Sequence, residues 1–184
     1  MTVLLYNIFM LKIVVVPHHI LSSSTKPVAK IDDSVKKLVA EMKETLEAQS
    51  DPQGVGLAAN QIGLNLSLFI IKKNPKAKIA VFINPKILKK VEKKLRRKKR
   101  LPVKLEGCLS IPRIWGPVKR AGKISLEYQD LNGKTKKEWF FGFMATIIQH
   151  EIDHLEGVVF TQRSLEQKAP LYKEVNGKLK PFEV

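Results

Sequence analysis

Between Gly142 and Gly157 the chain reads GFMATIIQHEIDHLEG, and this stretch restricts the fold more than any other. Its apolar residues recur at helical spacing, and Gly157 supplies the usual stop near a helix C-terminus. Phe143, Ile147, His150 and His154 fall along one side at spacings of four, three and four, so the histidines face inward in apolar company. His150 and His154, one turn apart with Glu151 beside them, match H-E-x-x-H, a pattern able to hold one ion between two imidazoles. A catalytic zinc-like site takes three protein ligands and keeps one position open, and this stretch offers two. The alternative at this point is a pair of ordinary core or surface histidines.

The remaining elements indicate what that helix packs against. IDDSVKKLVAEMKETLEAQ places Val35, Leu38, Val39, Met42 and Leu46 on one stripe behind an Asp32/Asp33 cap, which predicts an amphipathic helix. LSLFII (66–71) and IAVFI (79–83) read as buried strands, the second stopped by Asn84 and Pro85. KISLEYQD and KTKKEWFF flank Leu131, Asn132 and Gly133, whose Asn-Gly is a strong hairpin signal. LKIVVVP near the start reads as a buried strand, and the residues before it as an extra strand or an untidy N-terminus; Met10 offers an alternative start. Strands followed by a helix and a short tail imply an α+β fold, with mostly antiparallel strands packed around the histidine-bearing helix. At 184 residues, with no internal repeat or linker, the expectation is a single catalytic domain over 1–184, its core about 11–165 and its C-terminal tail 166–184. LYKEVNGKLKPFEV in that tail is compatible with a strand or a loose end.

Charge and cysteine usage bound the function. The chain has 33 Lys+Arg against 17 Asp+Glu, a formal +16, which favours polyanionic partners such as RNA, or an acidic surface. The apolar start is broken by Lys12 and followed by Pro17, which makes it too short for a membrane span, and it lacks the features of a signal peptide. No membrane or DNA partner is expected. The lone Cys108 excludes an internal disulfide and fits a reducing compartment; it is a metal ligand, a nucleophile or core filler.

Two further segments complete the pattern. In LEGCLSIP (105–112), Cys108 follows Gly107 where the backbone can approach a ligand closely, and a thiolate with two imidazoles suits Zn or Fe(II) with one position left for water. GVGLAANQIG (54–63) offers either a packing turn or open backbone groups for a peptide, with Gln61 as an amide donor; it lacks the spacing and ending of a phosphate loop. Gly54 to Gln61, Glu106 to Ser110 and Gln149 to His154 together resemble the signatures G-x-G-L-A-A-x-Q, E-G-C-L-S and Q-H-E-x-D-H of peptide deformylases, in that order, within a likeness running from IVVVP to VVFTQR.

The resemblance implies a cytoplasmic, bacterial-type enzyme that removes the N-formyl group from nascent polypeptides beginning with formyl-methionine, releasing formate. It implies Cys108, His150 and His154 as metal ligands and Glu151 as general base. Gln61 and the Leu109 N–H are implied donors to the oxygen that gains charge. Phe143 and Ile147 would line a methionine pocket, with Val55, Gly56 and Gly107 pairing with the peptide backbone. Glu106 matches an acid that pairs with a downstream arginine, here Arg120, and so reads as structural; Asp153 reads as a support behind the site or as a helix-surface residue, without a direct catalytic part. The family is known for Fe(II), which Ni, Co or Zn can replace. The basic stretch from Lys86 to Lys104 departs from the family pattern; it is expected as an exposed hairpin or loop contacting ribosomal RNA, or as a solvated charged edge. Competing readings are an idle RNA-binding relative, supported only by charge, and a zincin-type protease, disfavoured because the third ligand is a thiolate preceding the helix.

Overall fold

The computed structural model describes residues 10–51, 53–92 and 104–182. The predicted amphipathic helix is α1, Asp33–Glu47, and the Asp32 side chain caps it by accepting from the N–H groups of Ser34 and Val35. Its buried stripe, Val35, Val39, Met42 and Leu46, packs on Leu57, Leu68, Ile70 and Ile83 from strands β1 (Gly56–Ala58), β2 (Leu68–Ile71) and β3 (Ala80–Val91). The histidine-bearing helix α2, Gly142–Leu155, covers the opposite face, where Ile147, Ile148 and Ile152 join Phe69, Ile71 and Phe82. Successive residues of β2 therefore alternate between two helices, so the LFII run is wholly apolar. Each such buried side chain contributes roughly 1.5–3 kcal/mol of transfer free energy.

β6 (Lys123–Gln129) and β7 (Thr135–Phe141) complete a five-stranded antiparallel sheet in the order β1-β2-β3-β6-β7. The Asn132-Gly133 turn joins them as expected, with Gly133 at φ +76. β4 (Leu105–Cys108), β5 (Ile111–Pro117), β8 (Leu171–Val175) and β9 (Lys178–Phe182) form a second, four-stranded sheet in that order. A short helix α3, Phe160–Glu166, packs on it through Phe160, which clusters with Cys108, Ile111 and Leu171. The fold is α+β, and α2 lies among mostly antiparallel strands.

Several expectations change. LKIVVVP is not a strand: it runs as irregular chain, half-buried at Leu11, Ile13 and Val14 and exposed at Val15 to Pro17, because the Val14 N–H donates to the Gln61 carbonyl and the Val16 N–H to the Ser110 carbonyl, partners in two different segments. β3 does not stop at Asn84-Pro85. A bulge between Ile83 and Lys86 places the proline where no ladder N–H is required, and Asn84, at φ +50, is held by side-chain bonds with Val28 and Gln129. The start of the basic stretch, Lys86 to Val91, is therefore paired strand rather than loop, while its residues 93–103, like residues 1–9, lie outside the described residues. Of the two alternatives for the tail, it ends as a strand and not as a loose end. Asn176-Gly177 turns it into the β8–β9 hairpin, which adds to β5.

Candidate active site

Two separate stretches of chain converge on α2. On the helix, His150 and His154 are both buried, with ring centroids 5.0 Å apart. Cys108 ends β4 just before the turn into β5, and its Sγ lies 3.1 Å from His154 Nε2. One donor atom from each of the three residues lies within 4.8 Å of the others, close enough for all three to bind one ion. His150 Nδ1 lies 3.0 Å from Glu106 Oε2, which fixes the ring and leaves Nε2 as its available donor. This closed set of one sulfur and two nitrogens fits a borderline divalent metal better than the hard, oxygen-seeking Mg or Ca.

Glu106 is in turn gripped by Arg120, which donates from Nε and Nη2 at 2.9 Å each in a bidentate pair. The same guanidinium reaches Asp153, whose other oxygen accepts from Arg163 on α3. The pairing of Glu106 with Arg120 thus stands as the sequence suggested, and Asp153 is a buried partner of Arg120 and Arg163, not a helix-surface residue; the direct hold of Glu106 on His150 was not anticipated. Burial alone would raise the Glu106 carboxyl, but hydrogen bonds from Arg120 and His150 outweigh it and hold the group at about 2. Burial also raises the Cys108 thiol, yet the adjoining His154 and His150 rings draw it well below an ordinary thiol, toward the thiolate that a metal needs.

Glu151 behaves oppositely. Its burial pushes the carboxyl up to about 7, and Oε2 has no hydrogen-bond partner among the described residues. The carboxylate lies against β1: a Cβ built on Gly56 would stand 2.1 Å from Oε1, so only glycine leaves it room. The two glycines of GVGLAANQ serve different neighbours, since a Cβ at Gly54 would meet Leu46 of α1 at 2.7 Å. Gln61 lies in a short 3-10 helix, Ala59–Ile62, that follows β1. Its Oε1 accepts from the Ala58 N–H at 2.9 Å, and that bond points Nε2 at Cys108 Sγ, 3.4 Å away, and Ser110 Oγ, 3.2 Å away. Leu109, half-buried, occupies the β4–β5 turn between Cys108 and Ser110.

The suggested pocket residues are less uniform. Gly56 on β1 and Gly107 on β4 lie on edge strands of the two sheets, and Val55 directly precedes β1, with its carbonyl accepting from the Lys72 N–H. Ile147 is buried in the core, whereas Phe143 is 46% exposed at the start of α2, with Lys104 Nζ 6.0 Å from its ring centre. Sequence reasoning missed three buried supports. Ser110 engages Gln61, Asn60 donates to the His154 carbonyl, and Gln149 bonds both N–H and carbonyl of Ala121. All three lie inside the motifs already singled out, which was the available signal.

A thiolate and two imidazoles on one ion, beside a carboxylate kept near neutral titration, are the equipment of a metal-dependent hydrolase. The comparisons narrow the class. Residues 10–169 match the family model described as polypeptide deformylase. The peptide deformylase of Dictyoglomus turgidum is 42% identical over 150 residues, covering 80% of this chain and 88% of its own. Crystal structures of the peptide deformylases from Legionella pneumophila and Thermotoga maritima superpose with TM-scores of 0.73 and 0.72 at 35% and 34% identity; the alignments cover 83% and 84% of this chain, and 84% and 97% of theirs. The chain belongs to the peptide deformylase family, a hydrolase that removes the N-formyl group from the formyl-methionine of newly synthesised proteins and releases formate. No helix among the described residues is long and apolar enough to cross a membrane.

Proposed function

We propose that Cys108, His150 and His154 hold the catalytic metal, that Glu151 is the general base, and that Gln61 and Leu109 form the oxyanion hole within one catalytic unit spanning residues 1–184. The single observation that carries this reading is the buried Glu151 carboxylate, with Oε2 unpartnered among the described residues, next to three converging donor atoms. When bound there, a divalent ion supplies Lewis acidity and an acidified water. Glu151 takes a proton from the attacking water and delivers it to the departing amine, a shuttle matched to a group that titrates at about 7. As the formyl carbon becomes tetrahedral, the Gln61 amide and the Leu109 N–H donate to its oxygen. The C–N bond then breaks, leaving formate and a free amino terminus. Val55, Gly56 and Gly107 receive the peptide backbone along the strand edges, while Phe143 and Ile147 receive the methionine side chain.

Fe(II) is the proposed resident ion, on the family resemblance, with Zn, Ni and Co accommodated by the same donor set. The proposed location is the cytoplasm, where nascent chains emerge and an unpaired thiol stays reduced. The basic stretch from Lys86 to Lys104 is proposed to contact ribosomal RNA, on the strength of its charge.

Formate release from a formyl-Met peptide, with metal analysis of anaerobically purified protein, tests the site. Glu151→Ala is expected to abolish turnover with metal retained, and Cys108→Ala to lose both. Normal turnover by the first variant refutes the assigned base. Ribosome co-sedimentation that falls steeply with salt, and on replacing Arg96, Arg97, Lys98, Lys99 and Arg100, supports the RNA contact; unchanged binding refutes it.

A further inference from the structure

The five-stranded sheet is covered unevenly. One helix, α2, lies across the face that buries Ile124, Leu126 and Tyr128, whereas α1 on the other face packs on β1, β2 and the first half of β3. On that second face the far end of the sheet presents the alternate residues of β3, β6 and β7. The register aligns Trp139 with Ser125 and Lys89, and Phe141 with Lys123 and Val91, in two adjacent rows. A third row aligns Lys137, Glu127 and Lys86. Trp139 is 42% exposed and Phe141 59% exposed, two large rings on open strand surface. Lys123 Nζ stands 4.1 Å from the Trp139 ring centre and 5.1 Å from that of Phe141. Four lysines share these rows with a single carboxylate, Glu127, which is already paired with Lys137 at 2.8 Å.

We propose that this face is a docking surface for single-stranded RNA, specifically for unpaired segments of ribosomal RNA. An open sheet face with exposed rings set among lysines offers stacking platforms for bases and cations for phosphates, the two features of RNA that a protein can use without reading sequence. A second copy of this chain would bring like charge against like. An acidic protein surface would match the lysines but leave the rings without a purpose. The inference deepens the ribosomal contact proposed above and rests on that reading for the source of the RNA, but it stands on different residues, so the two fail separately.

The test uses the metal-loaded full chain and a fluorescein-labelled, unstructured 12-nucleotide RNA at about 0.1 M salt. Binding should quench tryptophan emission, and Trp139→Leu should remove most of that quenching. The double variant Trp139→Leu/Phe141→Leu should bind at least about tenfold more weakly, the loss expected on removing base-stacking rings. Its rate on a free formyl-Met peptide should be unchanged, which also shows that it folds. Lys89→Glu should weaken binding and flatten its salt dependence. Failure of the wild-type chain to bind the RNA overturns the proposal, as does undiminished binding by the double variant. So does displacement by heparin with ring variants unaffected, or wild-type self-association that the variants abolish. Ribosome binding lost on replacing residues 96–100 but intact in the ring variants would leave the basic-stretch contact standing and overturn this one.

Discussion

Gly56→Ala isolates the position of the proposed base from its presence. Residue 56 lies in extended strand, so alanine suits the backbone, and the consequence of the substitution lies in what its methyl meets. That Cβ would stand 2.1 Å from Glu151 Oε1 and 2.7 Å from Cδ, against 3.4 Å for ordinary contact, so the carboxylate must retreat by about 1.3 Å, the difference between 2.1 and 3.4. A displacement of about 1 Å in a catalytic group lowers turnover by roughly 10²-fold, or about 2.7 kcal/mol in the barrier. The three atoms that the methyl approaches most closely all belong to Glu151, and the backbone groups of residue 56 remain. The expected result is therefore kcat down roughly 10²-fold with metal content unchanged and KM within a few-fold, read from formate release and metal analysis on the same preparation. Wild-type kcat in this variant would show that the carboxylate at Gly56 does not set the rate; loss of the metal would show that Gly56 supports the ligands instead.

Two other perturbations probe the surrounding bonds. Glu106→Gln leaves Arg120 buried without its bidentate partner and is expected to cost about 3 kcal/mol at neutral pH, from the fall of the Glu106 carboxyl from 4.5 to about 2. Because folding lowers this pKa, the stabilisation is full above about pH 5 and is lost as the pH falls toward 2, so thermal midpoints of wild type and variant should converge across that window; parallel curves would refute the assignment. Gln61→Ala removes the amide aimed at the site and should lower kcat by about 10²-fold with metal retained, as measured by steady-state kinetics; an effect confined to KM would remove Gln61 from the oxyanion hole.

Much of this architecture was legible because local and global preferences agree. The α1 stripe and the Asn132-Gly133 hairpin each bury an apolar pattern whose period matches the element. Where they part, the reading failed. Val14 and Val16 have strand-like side chains, yet their N–H groups go to two different segments, and no ladder can form from such partners. Asn84-Pro85 is a fair stop signal, overridden because tertiary bonds to Val28 and Gln129 hold Asn84 in a left-handed turn within a bulge. Asn176-Gly177 carries the same signal as Asn132-Gly133, but exposed β9 offers no apolar alternation to corroborate it. The three donor residues could be picked out because each belongs to a compact motif. The path from Arg163 through Asp153, Arg120 and Glu106 to His150 joins residues from three elements and the β5–β6 loop, and spacing along a chain carries no record of it.

The β8–β9 hairpin bears on the order in which this molecule can be completed as it is synthesised. Cys108 sits on β4, whose only sheet neighbour among the described residues is β5, and β5 acquires its second neighbour from residues that follow every one of the three donors in the chain. Chains emerge from their N-terminal side, so α1 and the five-stranded sheet can assemble while the sheet beneath Cys108 still lacks half its strands. The proposed coordination site gains the support of β8 and β9 only after Leu171 to Phe182 have cleared the exit. An enzyme that works on the first residue of other new chains is thus finished by residues that follow all three donors of its own.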